Sequence, residues 1–250
     1  MLILNDVAKA FGGHRAVDGV SCTIQRGAIT GLIGPNGAGK TTLFNVLSGA
    51  MAPSSGSITL DGQQISGLRA DRVFAHGLAR SFQIPRPFPA MTVLENLMLA
   101  ARGQSGETIW ANWLLPAKVA AQEKQLRDKA MHWLAFVGLE RLAGEPAKVL
   151  SGGQRKLLEL ARVMMADPSV VLLDEPGAGV NPALLETIVE RIGELHRQGL
   201  SFLIIEHNMD LVASLCDPVL VMAQGRLLAS GKAGEVLRDP RVVEAYLGAA

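Results

Sequence analysis

Apolar and polar positions follow two regimes along the chain. Residues 2–5 and 20–24 read as short strands, and 28–33 is a continuous apolar, β-branched run ending at Gly34, the pattern of a strand covered on both faces. Leu43, Val46 and Leu47 lie on one side of a helix predicted over 40–47. Residues 57–60, followed by Asp61-Gly62, read as a strand and a turn. Two further apolar runs, 170–173 and 201–205, suit central strands of a parallel sheet. Between them a helix is predicted over 182–198, with Asn181 as N-cap and Pro182 at the first helical position. Residues 218–223 read as a strand that ends in a tight turn at Gln224-Gly225.

The middle is different. Between Val93 and Val149 no strand pattern occurs. Leu126, Ala130, Trp133, Leu134 and Val137 repeat at helical spacing, and 92–101 is a second helical candidate. Pro85, Pro87 and Pro89 precede this block as a stiff joint. The expected organisation is one domain over 1–250: an α/β core of 1–83 and 150–250, and a helical subdomain over 84–149 leading to Ser151.

Composition narrows the class. Apolar residues make up 48% of 250 residues and charged residues 19%, which excludes disorder. Lys plus Arg is 24 against 23 Asp plus Glu, a net +1 that lacks the basic footprint of nucleic-acid binding. The longest uncharged run, 41–60, is broken by Gly49, Pro53 and Gly56, so no membrane span is expected. The N-terminus has no basic region before its apolar stretch, and no secretion signal is expected. Cys22 and Cys216 give no disulfide framework, which points to a reducing compartment.

The strongest chemical signal is Gly34-Pro35-Asn36-Gly37-Ala38-Gly39-Lys40-Thr41, a full G-x-x-x-x-G-K-[ST] between a predicted strand and a predicted helix. Glycines let backbone N–H groups face a phosphate, and the following helix adds its positive end. Lys40 reaches the β- and γ-phosphates, the Thr41 hydroxyl is placed to ligate Mg²⁺, and Thr42 completes the nucleotide-contact set. Asp174 and Glu175 follow the 170–173 run, where ligands sit beyond the carboxyl ends of parallel strands. Asp174 is the candidate Mg²⁺ ligand, through water, and Glu175 the general base or water positioner. Ser151, Gly152, Gly153 and Gln154 open a helix with Leu157, Leu158, Leu160, Ala161, Met164 and Met165. This is either an ordinary N-cap or a second anion-binding terminus. One nucleotide motif with two phosphate-type helix ends suggests a site assembled from two subunits.

Taken in order, the phosphate loop, Gln83, the 150–154 segment, Asp174-Glu175 and His207 resemble the ATP-binding subunit of an ATP-binding cassette (ABC) transporter over essentially the whole chain. The segments 79–83 and 85–88, the 177–182 loop, 206–210 and 243–248 are similar to the branched-chain amino-acid importer ATPases, the first of their two ATPase types. The resemblance implies a P-loop NTPase α/β core with a mixed, largely parallel sheet, a small antiparallel β region and an inserted helical subdomain. It implies ATP and Mg²⁺ as cofactors and head-to-tail dimers, with itself or a sister subunit. Further partners are transmembrane permease subunits and, indirectly, a periplasmic binding protein. The place is then the cytoplasmic face of the inner membrane. By the same resemblance Phe11 stacks on adenine, unless it is a core aromatic. Gln83 touches Mg²⁺ or the attacking water, His207 holds the γ-phosphate, and Ser151 and Gly153 meet the γ-phosphate of the opposite subunit. Asn181 stands where many members carry aspartate and can still cap its helix. The competing expectation is a cassette ATPase of translation or DNA repair.

Overall fold

The computed structural model of the chain describes residues 1–81, 87–104, 110, 113 and 115–247. The expectations placed on Gln83 and on part of the proline joint lie outside these residues. In chain order the elements are β1 (Leu2–Phe11), β2 (His14–Ile24), β3 (Ile29–Ile33), α1 (Lys40–Leu47), β4 (Ser55–Leu60), β5 (Gln63–Gln64), α2 (Ala70–Ala75), β6 (Leu78–Arg80), α3 (Val93–Met98) and α4 (Pro116–Phe136). They continue with α5 (Gly152–Met164), β7 (Val170–Asp174), α6 (Pro182–Arg197), β8 (Ser201–Ile205), α7 (Met209–Leu215), β9 (Val219–Ala223), β10 (Arg226–Gly231), α8 (Ala233–Val236) and α9 (Pro240–Leu247).

Two compact units form. The first comprises Met1–Gln83, Pro168–Gly179 and Glu186–Ala250; the second comprises Ile84–Asp167 and Val180–Leu185. The second unit therefore extends past 149 and carries Ser151 and α5.

The first unit holds two sheets. A six-stranded sheet runs β10-β9-β3-β8-β7-β6, parallel from β9 to β6, with β10 antiparallel at one edge. Every residue of β3, β7 and β8 is buried, as their unbroken apolar runs require. A four-stranded antiparallel sheet runs β2-β1-β4-β5. Residues of both sheets and α1 share one core, with Phe44 fully buried.

Both β1 and β2 are much longer than their apolar segments predict. Register shifts between Leu4 and Val7, and again up to Ala10, break the period-2 alternation that would have revealed the full strand. Strand β6 is three residues long, and β10 has a mostly half-buried pattern, so neither stands out in sequence. The β9–β10 connection is Gln224-Gly225, with φ of 50° and 80°, a hairpin turn matched to strand twist.

In the second unit α3, α4 and α5 pack together. Ala130 and Leu134 of α4 are fully buried, while Leu126 and Trp133 are half-buried. Thr92 caps α3 through a reciprocal box with Glu95. The buried Asn96 amide accepts from the Phe88 N–H at 2.8 Å and donates to the carbonyls of Phe88 at 3.1 Å and Thr92 at 2.9 Å. This latch fixes the backbone at Phe88 while its side chain remains exposed. No helix among the described residues is long and apolar enough to cross a membrane.

Candidate nucleotide-binding and hydrolysis site

Sheet register gathers the site. Leu32 of β3 pairs with Ile205 of β8, and Ile205 pairs with Asp174 of β7. The carboxyl ends of the three strands therefore lie level, and the segments starting at Gly34, Glu175 and Glu206 leave the sheet at one edge. A cavity of about 320 Å³ opens there, lined by residues 36–42 with Glu175 and His207, and by His14 and Ala16.

The loop before α1 has the shape its glycines permit. Gly34 has φ 149°, and a Cβ there would stand 2.1 Å from the Met222 carbonyl oxygen. Gly39 has φ 99°, and its Cβ would stand 2.2 Å from the Ala16 carbonyl oxygen. Any side chain at either position forces backbone to move. Lys40 Nζ donates to the carbonyls of Gly34 at 2.6 Å and Pro35 at 3.0 Å, bending back over the loop. Burial lowers the Lys40 ammonium from its ordinary value, and the carboxylates of Glu175 and Asp174 oppose that shift.

Asp174 ends β7, 6% exposed, with Oδ2 accepting from Arg80 Nη2 at 2.9 Å. Glu175 has φ 49°, a left-handed conformation uncommon for a glutamate, and its N–H donates to the Ile205 carbonyl at 2.9 Å. Its Oε1 lies 3.2 Å from His207 Nε2. Glu206, which the sequence reading gave no role of its own, is buried and ties two loops together. It accepts from the N–H groups of Gly177 at 2.7 Å and His207 at 3.0 Å. An acid directly after a buried strand was the available signal, overshadowed by the neighbouring histidine.

Phe11 ends β1, opposite His14 in the hairpin, and is 48% exposed. It is not a core aromatic; Lys9 Nζ sits 5.4 Å from its ring centroid. Ser151, Gly152, Gly153 and Gln154 belong to the second unit. There Ser151 Oγ accepts from the Gln154 N–H at 3.2 Å, and Gln154 Oε1 accepts from the Ser151 N–H at 2.9 Å. This is a complete capping box on α5. Ser151→Ala should lower stability by about 1 kcal/mol, read by denaturant unfolding followed at the helical unit. A midpoint equal to wild type would show that the cap contributes nothing. A Cβ at Gly153 would lie 1.8 Å from Leu184 Cδ2, so the glycine permits that close approach. Asn181 Oδ1 accepts from the Leu184 N–H at 2.9 Å, the capping bond expected of it.

A glycine loop opening a helix, a lysine folded over it, and two acids with a histidine at the facing strand ends define a class: the P-loop ATP-binding cassette. Comparison with known proteins agrees. The family model described as ABC transporter matches residues 17–178, and one described as branched-chain amino acid ATP-binding cassette transporter matches 226–250. A probable branched-chain amino acid transport ATP-binding protein, LivG, of Archaeoglobus fulgidus is 42% identical, over 100% of this chain and 96% of its own length. The high-affinity counterpart BraF of Pseudomonas aeruginosa is 38% identical, over 100% of this chain and 98% of its own. A crystal structure of a nucleotide-free ATP-binding cassette from an ABC transporter superposes with TM-score 0.85 at 37% identity, covering 98% of each chain. The chain belongs to the ABC transporter ATP-binding family, in its branched-chain amino-acid transport group. It is an ATPase cassette, and ATP is its nucleotide. The relatives reported are transport proteins and give no support to a role in translation or DNA repair.

Proposed function

We propose that the chain is the energy-coupling ATPase subunit of a branched-chain amino-acid importer, peripheral on the cytoplasmic face of the inner membrane. The Glu175–His207 pair, 3.2 Å apart at the mouth of the phosphate loop, carries the chemical part of this reading. The full-length relatives named for branched-chain amino-acid transport carry the cargo part.

Lys40, released from its loop carbonyls, binds the β- and γ-phosphates, while the N–H groups of residues 36–42 surround them. Thr41 and Asp174 offer oxygen donors only, and no cluster of three metal-binding side chains occurs among the described residues. That donor set fits Mg²⁺, which takes one or two protein oxygens together with phosphate oxygens and water. When bound, the ion neutralises charge on the phosphates. Glu175 accepts a proton from the attacking water, and His207, with Nε2 3.2 Å from its carboxylate, orients the γ-phosphate side. Phe11, exposed and paired across the hairpin with His14, offers its face to adenine, and Gln83 contacts the metal or the water. Ser151, Gly152, Gly153 and Gln154 serve the nucleotide of a second ATPase subunit in a head-to-tail dimer, homomeric or heteromeric. The helical subdomain, beginning at 84, passes the closure to transmembrane permeases fed by a periplasmic binding protein.

Proteoliposomes holding the permeases and the binding protein test the whole reading. Leucine uptake should require this chain and Mg²⁺-ATP, and Phe88→Cys should cross-link to a cytoplasmic permease loop. ATP-independent uptake, or an intact complex without that cross-link, would refute the corresponding half.

A further inference from the structure

Arg80, the last residue of β6, has its guanidinium fixed in three directions. Nη2 donates to Asp174 Oδ2 at 2.9 Å. Nη1 donates to Asn45 Oδ1 at 2.6 Å and lies 3.3 Å from Ser48 Oγ. The guanidinium carbon stands 5.7 Å from the centroid of the Phe44 ring. Asn45 and Ser48 sit at the far end of α1, the helix that opens with Lys40 and Thr41. One side chain thus spans the edge strand β6, the phosphate-loop helix and the strand that delivers the acids. The ion pair occupies Oδ2 of Asp174, and Oδ1 carries no hydrogen bond among the described residues.

The arrangement needs an arginine. A planar fork reaches a carboxylate with one nitrogen and two α1 acceptors with the other, and its face lies over Phe44; a lysine ammonium is a point donor without that geometry. The carboxylate is almost fully buried, so its orientation is set by this partner rather than by water.

We propose that Arg80 is a positioning residue for the metal site: by holding Oδ2 of Asp174 against α1, it presents Oδ1 toward Mg²⁺ and keeps Asp174 in register with Thr41. The proposal rests on the reading of Asp174 as a Mg²⁺ ligand. Partners behind a metal ligand typically change metal affinity by roughly 10–100-fold when removed.

The test is Mg²⁺ titration of the full chain with a fluorescent ATP analogue bound, alongside nucleotide binding in EDTA. Arg80→Gln should raise the Mg²⁺ concentration for half-maximal effect about tenfold, with EDTA binding changed by less than about twofold. Arg80→Lys should fall between this variant and wild type. Asp174→Asn is the control. No Mg²⁺ shift in Asp174→Asn overturns the ligand reading itself. A shift there with a wild-type Arg80→Gln titration overturns the positioning role alone. Equal loss of EDTA and Mg²⁺-dependent binding in Arg80→Gln would make the residue merely structural and also overturn it. If Arg80→Gln does not fold, as judged by thermal melting, the Arg80→Lys titration decides by the same criteria.

Discussion

Glu175→Gln should reduce ATP turnover by at least about a hundredfold while leaving nucleotide affinity close to wild type, because a positioned general base contributes roughly 10²–10⁴ in rate. Glutamine keeps the shape but cannot take up a proton. The backbone already favours this role. At φ 49° Glu175 sits in an uncommon conformation, held by the bond from its N–H to Ile205, so its carboxylate is aimed rather than free. With chemistry blocked and binding intact, ATP should accumulate on the protein and trap the nucleotide-bound dimer, visible by size-exclusion chromatography. The decisive comparison is steady-state turnover against an ATP titration on the same preparation. Turnover equal to wild type would remove Glu175 from the base role.

Lys40→Ala should act on the other quantity. A hydrogen bond to a charged group is worth about 1.5–3 kcal/mol, so losing the ammonium should weaken ATP binding by roughly ten- to a hundredfold. The loop should survive the change. The Pro35 carbonyl still accepts from the Ala38 N–H at 3.2 Å, and the turn itself depends on Gly34 and Gly39. Calorimetric titration with ATP reads the loss directly, and undiminished affinity would contradict the assignment. Measured together, the two variants separate binding from hydrolysis: one changes Kd and the other kcat.

How much of this was legible in sequence follows from where the information lies. The phosphate loop, Asp174-Glu175 and the helix cap at Ser151 are local, each set by neighbouring residues, and their flanking strands announce themselves as unbroken apolar runs. The sequence also placed α6, with Asn181 in its capping bond to Leu184. What it did not convey is long-range. Arg80 matters because β6 lies beside β7 in parallel register, with Arg80 opposite Leu172, and an arginine after a three-residue strand carries no such message. Glu206 matters because Gly177, 29 positions away, donates to it. Asn96 in a helix interior reads as a weak helix former, yet its buried amide latches the turn before α3. The length of β1 was hidden by its own bulges, which scramble the alternation that marks a strand.

The strand order also governs when the site can come into being during synthesis. Strand β3, which leads into the phosphate loop, and β7, which delivers the acids, are not neighbours; β8 lies between them and pairs with both. A nascent chain that has emerged only as far as Glu175 carries every phosphate-loop residue and both acids, but lacks the strand that sets them side by side. Long-range parallel pairing of this kind is slow and late in folding, and domains complete only when their last element is available. Native pairing of β3 with β7 through β8 therefore cannot precede the emergence of Ser201–Ile205, which makes β8, a strand with no acid and no glycine, a precondition for setting the phosphate loop beside the acids.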